Sequence, residues 1–153
     1  MWLFLFFSTV QVFAQDSKKE KQAKEEARIA ALVEQQHYTF VAETALPMGM
    51  RSRILTGEYD LVVSKDTLSS YLPYFGKLYS APIGSDNGGI QFKTTDFKYS
   101  AVPAKKGGWN ITINPKNAGD TRQLTLYIST SGYASLQVNC NNRQSISFNG
   151  HIK

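Results

Sequence analysis

From Ser17 to Gln36 the apolar residues of this chain recur sparsely at helical spacing; from Tyr38 onward they recur at every second position. That change of period constrains the fold more than any other feature, because a repeat of two belongs to strands with one buried face. Tyr38, Phe40 and Ala42 alternate with Thr39, Val41 and Glu43 in a first strand that ends at Leu46-Pro47. Tyr59, Leu61 and Val63 alternate with Asp60, Val62 and Ser64, and Lys65-Asp66 turns the chain into Thr67 to Leu72. The later runs are Ile90/Phe92, Phe97/Tyr99/Ala101, Trp109/Ile111/Ile113, Leu124/Leu126/Ile128, Ala134/Leu136/Val138 and Ile146/Phe148/Ile152. Their connections are short and rich in turn residues, as in Lys105-Lys106-Gly107-Gly108, Ser131-Gly132 and Ile83 to Gly89, with no room for crossover helices. The pattern predicts a mainly β (α+β) fold: an N-terminal helix, then a curved antiparallel meander sheet, sandwich or barrel of about eight to nine strands, with the helix across an open face or end.

The chain divides into three parts. Met1 to Phe7 is an unbroken apolar run, and Val12-Phe13-Ala14 places small residues where a signal peptidase reads, so residues 1–14 are expected to be a signal peptide cut between Ala14 and Gln15. Fourteen helical residues reach about 21 Å against a hydrocarbon core of about 30 Å, too short for a permanent anchor, and no membrane span is expected after cleavage. Residues 15–36 form a charged helix in which Ser17 and Glu20 read as a capping box, and only Ile29, Leu32 and Val33 with three alanines offer an apolar face. Residues 37–153 form the antiparallel β domain. The mature chain, about 140 residues, suits one domain that buries about two-thirds of its unfolded surface.

The formal net charge of +5 is confined to residues 37–153, since residues 15–36 carry five positive and five negative groups. The basic residues there are scattered, which reads as a solvated surface rather than a nucleic-acid interface, and export argues the same way. Cys140 is the single cysteine, so an intramolecular disulfide and a Cys/His zinc site are excluded by count; in phase with Leu136 and Val138, it reads as a small buried hydrophobe.

No motif supplies a reaction centre, and no cofactor or metal is predicted. His37 sits at the helix-to-strand junction and His151 on the polar face of the last strand, neither beside a nucleophile motif. Glu43, Glu58, Asp60, Asp66 and Asp96 give no pair that stands out as a glycosidase dyad. Gly88-Gly89 and Gly107-Gly108 precede strands, not helix N-termini, so they are not phosphate cradles, and Ser85-Asp86-Asn87 lacks the distal Glu of a calcium loop. The shaped feature is Ser69 to Pro82, S-S-Y-L-P-Y-F-G-K-L-Y-S-A-P, where Pro73 and Gly76 interrupt the strand among four aromatics. Tyr71, Tyr74, Phe75 and Tyr79, with Arg51 and Arg53 nearby in sequence, are the candidate ligand-binding residues, either as an amphipathic rim or as core closing beneath the turn.

The runs Tyr38 to Ala42, Leu46-Pro47-Met48, Tyr71-Leu72-Pro73-Tyr74-Phe75-Gly76, the Gly88-Gly89-Ile90 turn, Gly107-Gly108-Trp109 and Asn141-Asn142-Arg143-Gln144-Ser145-Ile146-Ser147-Phe148 resemble an uncharacterised family of exported Bacteroidota proteins, classed as a domain of unknown function. The resemblance covers nearly the whole chain after residue 14. It implies export, to the periplasm or beyond, and carries over no catalytic or ligand residue. The expectation is therefore an exported, non-catalytic binding module for a small amphipathic ligand or an envelope protein, with a structural or interaction protein of the envelope as the alternative and a hydrolase the least supported.

Overall fold

The computed structural model describes residues 11–80 and 88–153. The apolar run at Met1 to Phe7 and most of the Ile83 to Gly89 turn lie outside the described residues. Helix α1 spans Gln11–Gln35 and runs unbroken through Ala14 and Ser17. Ser17 therefore lies inside the helix and not at its start, because no Pro or Gly between Gln11 and Asp16 breaks helical geometry ahead of it. The other end is sharply defined. Gln36 adopts a left-handed φ of 50°, the Gln36 amide donates to the Val33 carbonyl (3.2 Å), and the His37 amide donates to that of Leu32 (3.1 Å). This is a Schellman termination with glutamine where glycine is usual, and it delivers the chain directly into the first strand.

Among the described residues the helix leads into ten strands: β1 Tyr38–Pro47, β2 Arg53–Ile54, β3 Asp60–Val63, β4 Leu68–Leu72, β5 Ile90–Thr94, β6 Phe97–Pro103, β7 Trp109–Pro115, β8 Thr121–Ile128, β9 Tyr133–Cys140 and β10 Ile146–Ile152. Nine of them form one antiparallel sheet in the order β5-β4-β3-β1-β10-β9-β8-β7-β6, nearly closed into a barrel, and β2 adds to β1. The order refines the expected meander. Successive strands pair within β3-β4-β5 and within β6 to β10, but β1 lies between β3 and β10, joining the first strand to the last. β5 and β6, separated by only Thr95 and Asp96, stand at opposite ends of the pairing order.

The seam between β5 and β6 is bridged by side chains. The Thr94 hydroxyl donates to the Lys116 carbonyl (2.7 Å) and accepts from the Asp96 amide (3.1 Å). The hydroxyls of Tyr38 on β1 and Tyr99 on β6 meet at 3.1 Å, although their strands are not neighbours. Burial raises the pKa of both phenols, and each stays protonated.

Alternation places the core. Phe40, Leu61, Leu68, Leu72, Ile111, Leu126, Leu136 and Phe148 are wholly buried, and each inward residue is flanked along its strand by more exposed ones. One bulge breaks the alternation: the β1–β10 register shifts between Ala42 and Thr44, so that Ala42 and Ala45 both face inward and Glu43 is the extra, outward residue. The helix covers one end. Ile29 is fully buried and Val33 nearly so, with the Ile29 Cδ1 3.2 Å from where a Cβ on Gly132 would stand, in the β8–β9 turn. Burying such a side chain contributes about 1.5–3 kcal/mol. Residues 15–24 of the same helix are exposed, as its sparse apolar face implies.

Candidate functional site

The stretch after β4 resolves into two groups with different surroundings. Tyr71 is still within β4, paired with Asp60 and Gln91, and points outward because Leu68, Ser70 and Leu72 point in. Its ring stacks on Tyr59, with centroids 5.8 Å apart and planes at 16°, yet the residue is 51% exposed. Phe75 is half-buried against the core, and the Arg53 guanidinium on β2 lies 4.7 Å above its ring. The alternation of residues gives no sign of strand β2. Arg53 and Ile54 are both exposed; the strand exists because β1 offers its free edge at Thr44 and Ala45, with the Leu55 amide donating to the Glu43 carbonyl (2.8 Å). Arg51 stays exposed on the loop before it.

Tyr74 belongs to the second group. Its hydroxyl lies 3.0 Å from the carbonyls of both Lys77 and Gln144, and the Arg143 guanidinium sits 4.9 Å over its ring. A Cβ on Gly76 would come within 2.6 Å of that hydroxyl, so the turn closes tightly on the ring. Residues 77–79 then run beside residues 142–144: Leu78 bridges Arg143, the Tyr79 amide donates to Asn142 (2.8 Å), and the Gln144 amide donates to Lys77 (3.1 Å). The Tyr79 side chain is 70% exposed. Of the six candidates, the structure thus brings Arg53 to Phe75, sets Tyr71 on Tyr59, and ties Tyr74 into the β9–β10 connection, while Arg51 joins neither group.

The organising residue of the second group is Arg143. Its Nε and one terminal nitrogen donate to the two Asp120 oxygens at 2.8 Å each, and the other donates to the Gly88 carbonyl (3.0 Å) and the Gly89 carbonyl (3.3 Å). The pair is buried, with side chains 8% and 12% exposed. Burial alone would lower the Arg143 pKa, but the bonds and charge of Asp120 outweigh it and raise the value, so the guanidinium stays charged. Burial, partly offset by Arg143, likewise raises the Tyr74 phenol. One cation thereby ties three connections together: β7–β8 through Asp120, β4–β5 through Gly88 and Gly89, and its own. In the sequence Arg143 stands within the Asn141 to Phe148 run with no role assigned to it. The available signal was the absence of a local partner for an arginine between two apolar strands.

Cys140 is half-buried and packs against the core; its thiol is pushed up to about 11, by burial first and then by the Asp120 charge. It is therefore an unreactive thiol at neutral pH. His37 is exposed, and His151 Nδ1 lies 2.9 Å from Glu43 Oε1 on the outer face. Among the described residues no three His, Cys, Asp or Glu side chains converge as metal ligands, and no helix is long and apolar enough to cross a membrane.

No curated protein matches the chain. Among solved structures it is similar to the crystal structure, at 1.95 Å, of a DUF4251 family protein from Bacteroides eggerthii DSM 20697, with 18% identity, a TM-score of 0.66, and coverage of 86% of this chain and 90% of that one. At that identity the likeness speaks for the fold alone. The family model of DUF4251, a domain of unknown function, matches residues 20–152, helix and sheet together, and the chain belongs to that family.

Proposed function

We propose that this is an exported, single-domain protein of the periplasm or cell exterior that binds a partner and does not catalyse a reaction, and that its contact surface is the outer patch around Tyr71. The observation that carries this reading is the Tyr59–Tyr71 stack: two amphipathic rings held nearly parallel, one of them half exposed, with Arg53 poised over Phe75 of the same aromatic stretch. A pre-ordered aromatic pair loses little conformational entropy on contact, and Tyr and Arg are the residue types that dominate binding surfaces. Val62, outward on β3 on the same face as Asp60, the partner of Tyr71, adds exposed apolar area there, and Ile54, next to Arg53 on β2, is 84% exposed, which suits an amphipathic ligand or an envelope protein. Export rests on the apolar N-terminal run and the small residues before Gln15.

Two measurements test this. Mass spectrometry of the protein from fractionated cells is expected to find a mature N-terminus at Gln15 outside the cytoplasm; an intact Met1 in the cytoplasmic fraction contradicts export. A photo-crosslinking residue at position 71 is expected to give a discrete adduct in intact cells that disappears with Arg53→Glu, while the same residue at the exposed position 122 gives none. Equal labelling at 71 and 122 removes the patch as a specific surface. A second reading, contact through the charged helix, is favoured by the unbroken exposed run of residues 15–24 and is tested by the same probe at Lys21.

A further inference from the structure

The outer face of β8, β9, β10 and β1 carries an open groove of about 370 Å³ whose rim includes Tyr127, Tyr133, Asn149 and Glu43 and whose floor includes Ser135 and Gly150. Its shape follows from register. Tyr127 pairs with Ser135 and Ser135 with Asn149, so one row across the sheet reads large, small, medium before it reaches Thr44 on β1, with the unpaired Glu43 of the bulge beside it; in the next row Tyr133 pairs with His151. The small Ser135 between larger neighbours makes the concavity. The Tyr127 hydroxyl donates to the Gly107 carbonyl (3.1 Å), which holds its ring in place, and Tyr133 is 70% exposed.

On the other side, the bulge leaves Glu43 without a partner in the β1–β10 ladder and turns it outward, where His151 Nδ1 holds Oε1 at 2.9 Å. Opposite the bulge stands Gly150, where any Cβ would overlap the Val41 carbonyl. The irregular backbone of this part of the sheet therefore centres on one carboxylate and one bare stretch of strand at the groove.

We infer that this groove binds a neutral sugar unit of a glycan. The C–H faces of a pyranose are weakly positive and lie against tyrosine rings, whose faces are negative. Sugar hydroxyls both donate and accept, and the groove answers them with a carboxylate, an amide and serine hydroxyls, groups that fix orientation in an otherwise apolar concavity. Charge selects the class. The fixed charge at the rim is the Glu43 carboxylate, and its ion-pairing neighbour is His151, a cation only when protonated, so an anionic sugar meets like charge. The groove shares no side chain with the Tyr59–Tyr71 patch, and the two sites can stand or fall separately.

The test is a titration of the ¹⁵N-labelled protein with chitotriose, cellotriose, maltotriose and mannotriose, and with trigalacturonate as the anionic counterpart. At least one neutral trisaccharide is expected to shift the amides of Ser135, Asn149 and Gly150, saturating in the millimolar range or below. Tyr133→Ala is expected to weaken that binding about tenfold or more and Ser135→Trp, which fills the concavity, to abolish it, both with the remaining spectrum unchanged. Tyr133 is exposed, so its variant stays informative if Ser135→Trp does not fold. No groove shift with any neutral trisaccharide, shifts that survive both variants, or tighter binding of trigalacturonate overturns the inference. Shifts confined to Tyr59 and Tyr71 overturn it as well, while supporting the other patch.

Discussion

At the end of the sheet where β8 turns into β9, the cover is a helix whose fully buried Ile29 lies on Gly132 with Val33 beside it; at the end where β9 turns into β10, the cover is Arg143, clamped on Asp120 and two glycine carbonyls. The first closure is apolar and tolerant of direction. The second is directional, and its partners come from two other connections, β7–β8 and β4–β5. An apolar lid loses stability in proportion to the volume removed, whereas a buried ion pair fails asymmetrically, because deleting one partner strands the other.

That asymmetry gives the largest expected effect. Arg143→Ala leaves the Asp120 carboxylate buried without its cation and should cost about 3–5 kcal/mol in chemical denaturation, while Arg143→Met combined with Asp120→Leu should cost clearly less than Arg143→Ala alone. A double variant as unstable as the single one would mean that the clamp acts by packing and not by charge. Ile29→Ala comes next, at about 2–5 kcal/mol depending on how far the site relaxes. A loss below about 1 kcal/mol would show that α1 rests on the sheet without closing it.

The same contrast explains what could be read from residues alone. Strand β1 was legible to the residue, because Tyr38, Phe40 and Ala42 alternate cleanly and Pro47 ends the run. The apolar lid was legible too, since Ile29, Leu32 and Val33 share a helix face. The polar closure was not: Asp120 and Arg143 lie 23 residues apart in segments that each look like ordinary turns, and nothing local says that they meet. The β1–β10 pairing and the bulge at Glu43 are likewise set by contacts across the length of the chain. Within the aromatic stretch, one distinction was available and missed. The parity of Leu68, Ser70 and Leu72 already turns Tyr71 outward, whereas Tyr74 lies beyond Pro73, where parity no longer applies.

A smaller effect probes the polar end through Cys140. Its folded pKa, about 11, lies above the reference 9.0, so its contribution to stability is whole below pH 9 and is lost as pH rises through 11. Labelling by a disulfide reagent at pH 8 should therefore run about 100-fold slower in the folded than in the unfolded chain, from the thiolate fraction alone. Equal rates would show that the polar end opens freely.

The aromatic stretch divides into a ring that holds the fold and a ring that faces outward, and the proposed contact surface depends on that division. The direct measurement is thermal unfolding of Tyr74→Ala beside Tyr71→Ala. Removing Tyr74 takes away a half-buried ring, its hydroxyl's bond to a backbone carbonyl and the platform under Arg143, and should lower Tm by about 8 °C or more; removing Tyr71 loses an exposed stack worth about 0.5–1.5 kcal/mol and should lower it by only a few degrees. Equal losses in the two variants, or a larger loss from Tyr71→Ala, would contradict the division and remove the reason for regarding the Tyr71 patch as a contact surface.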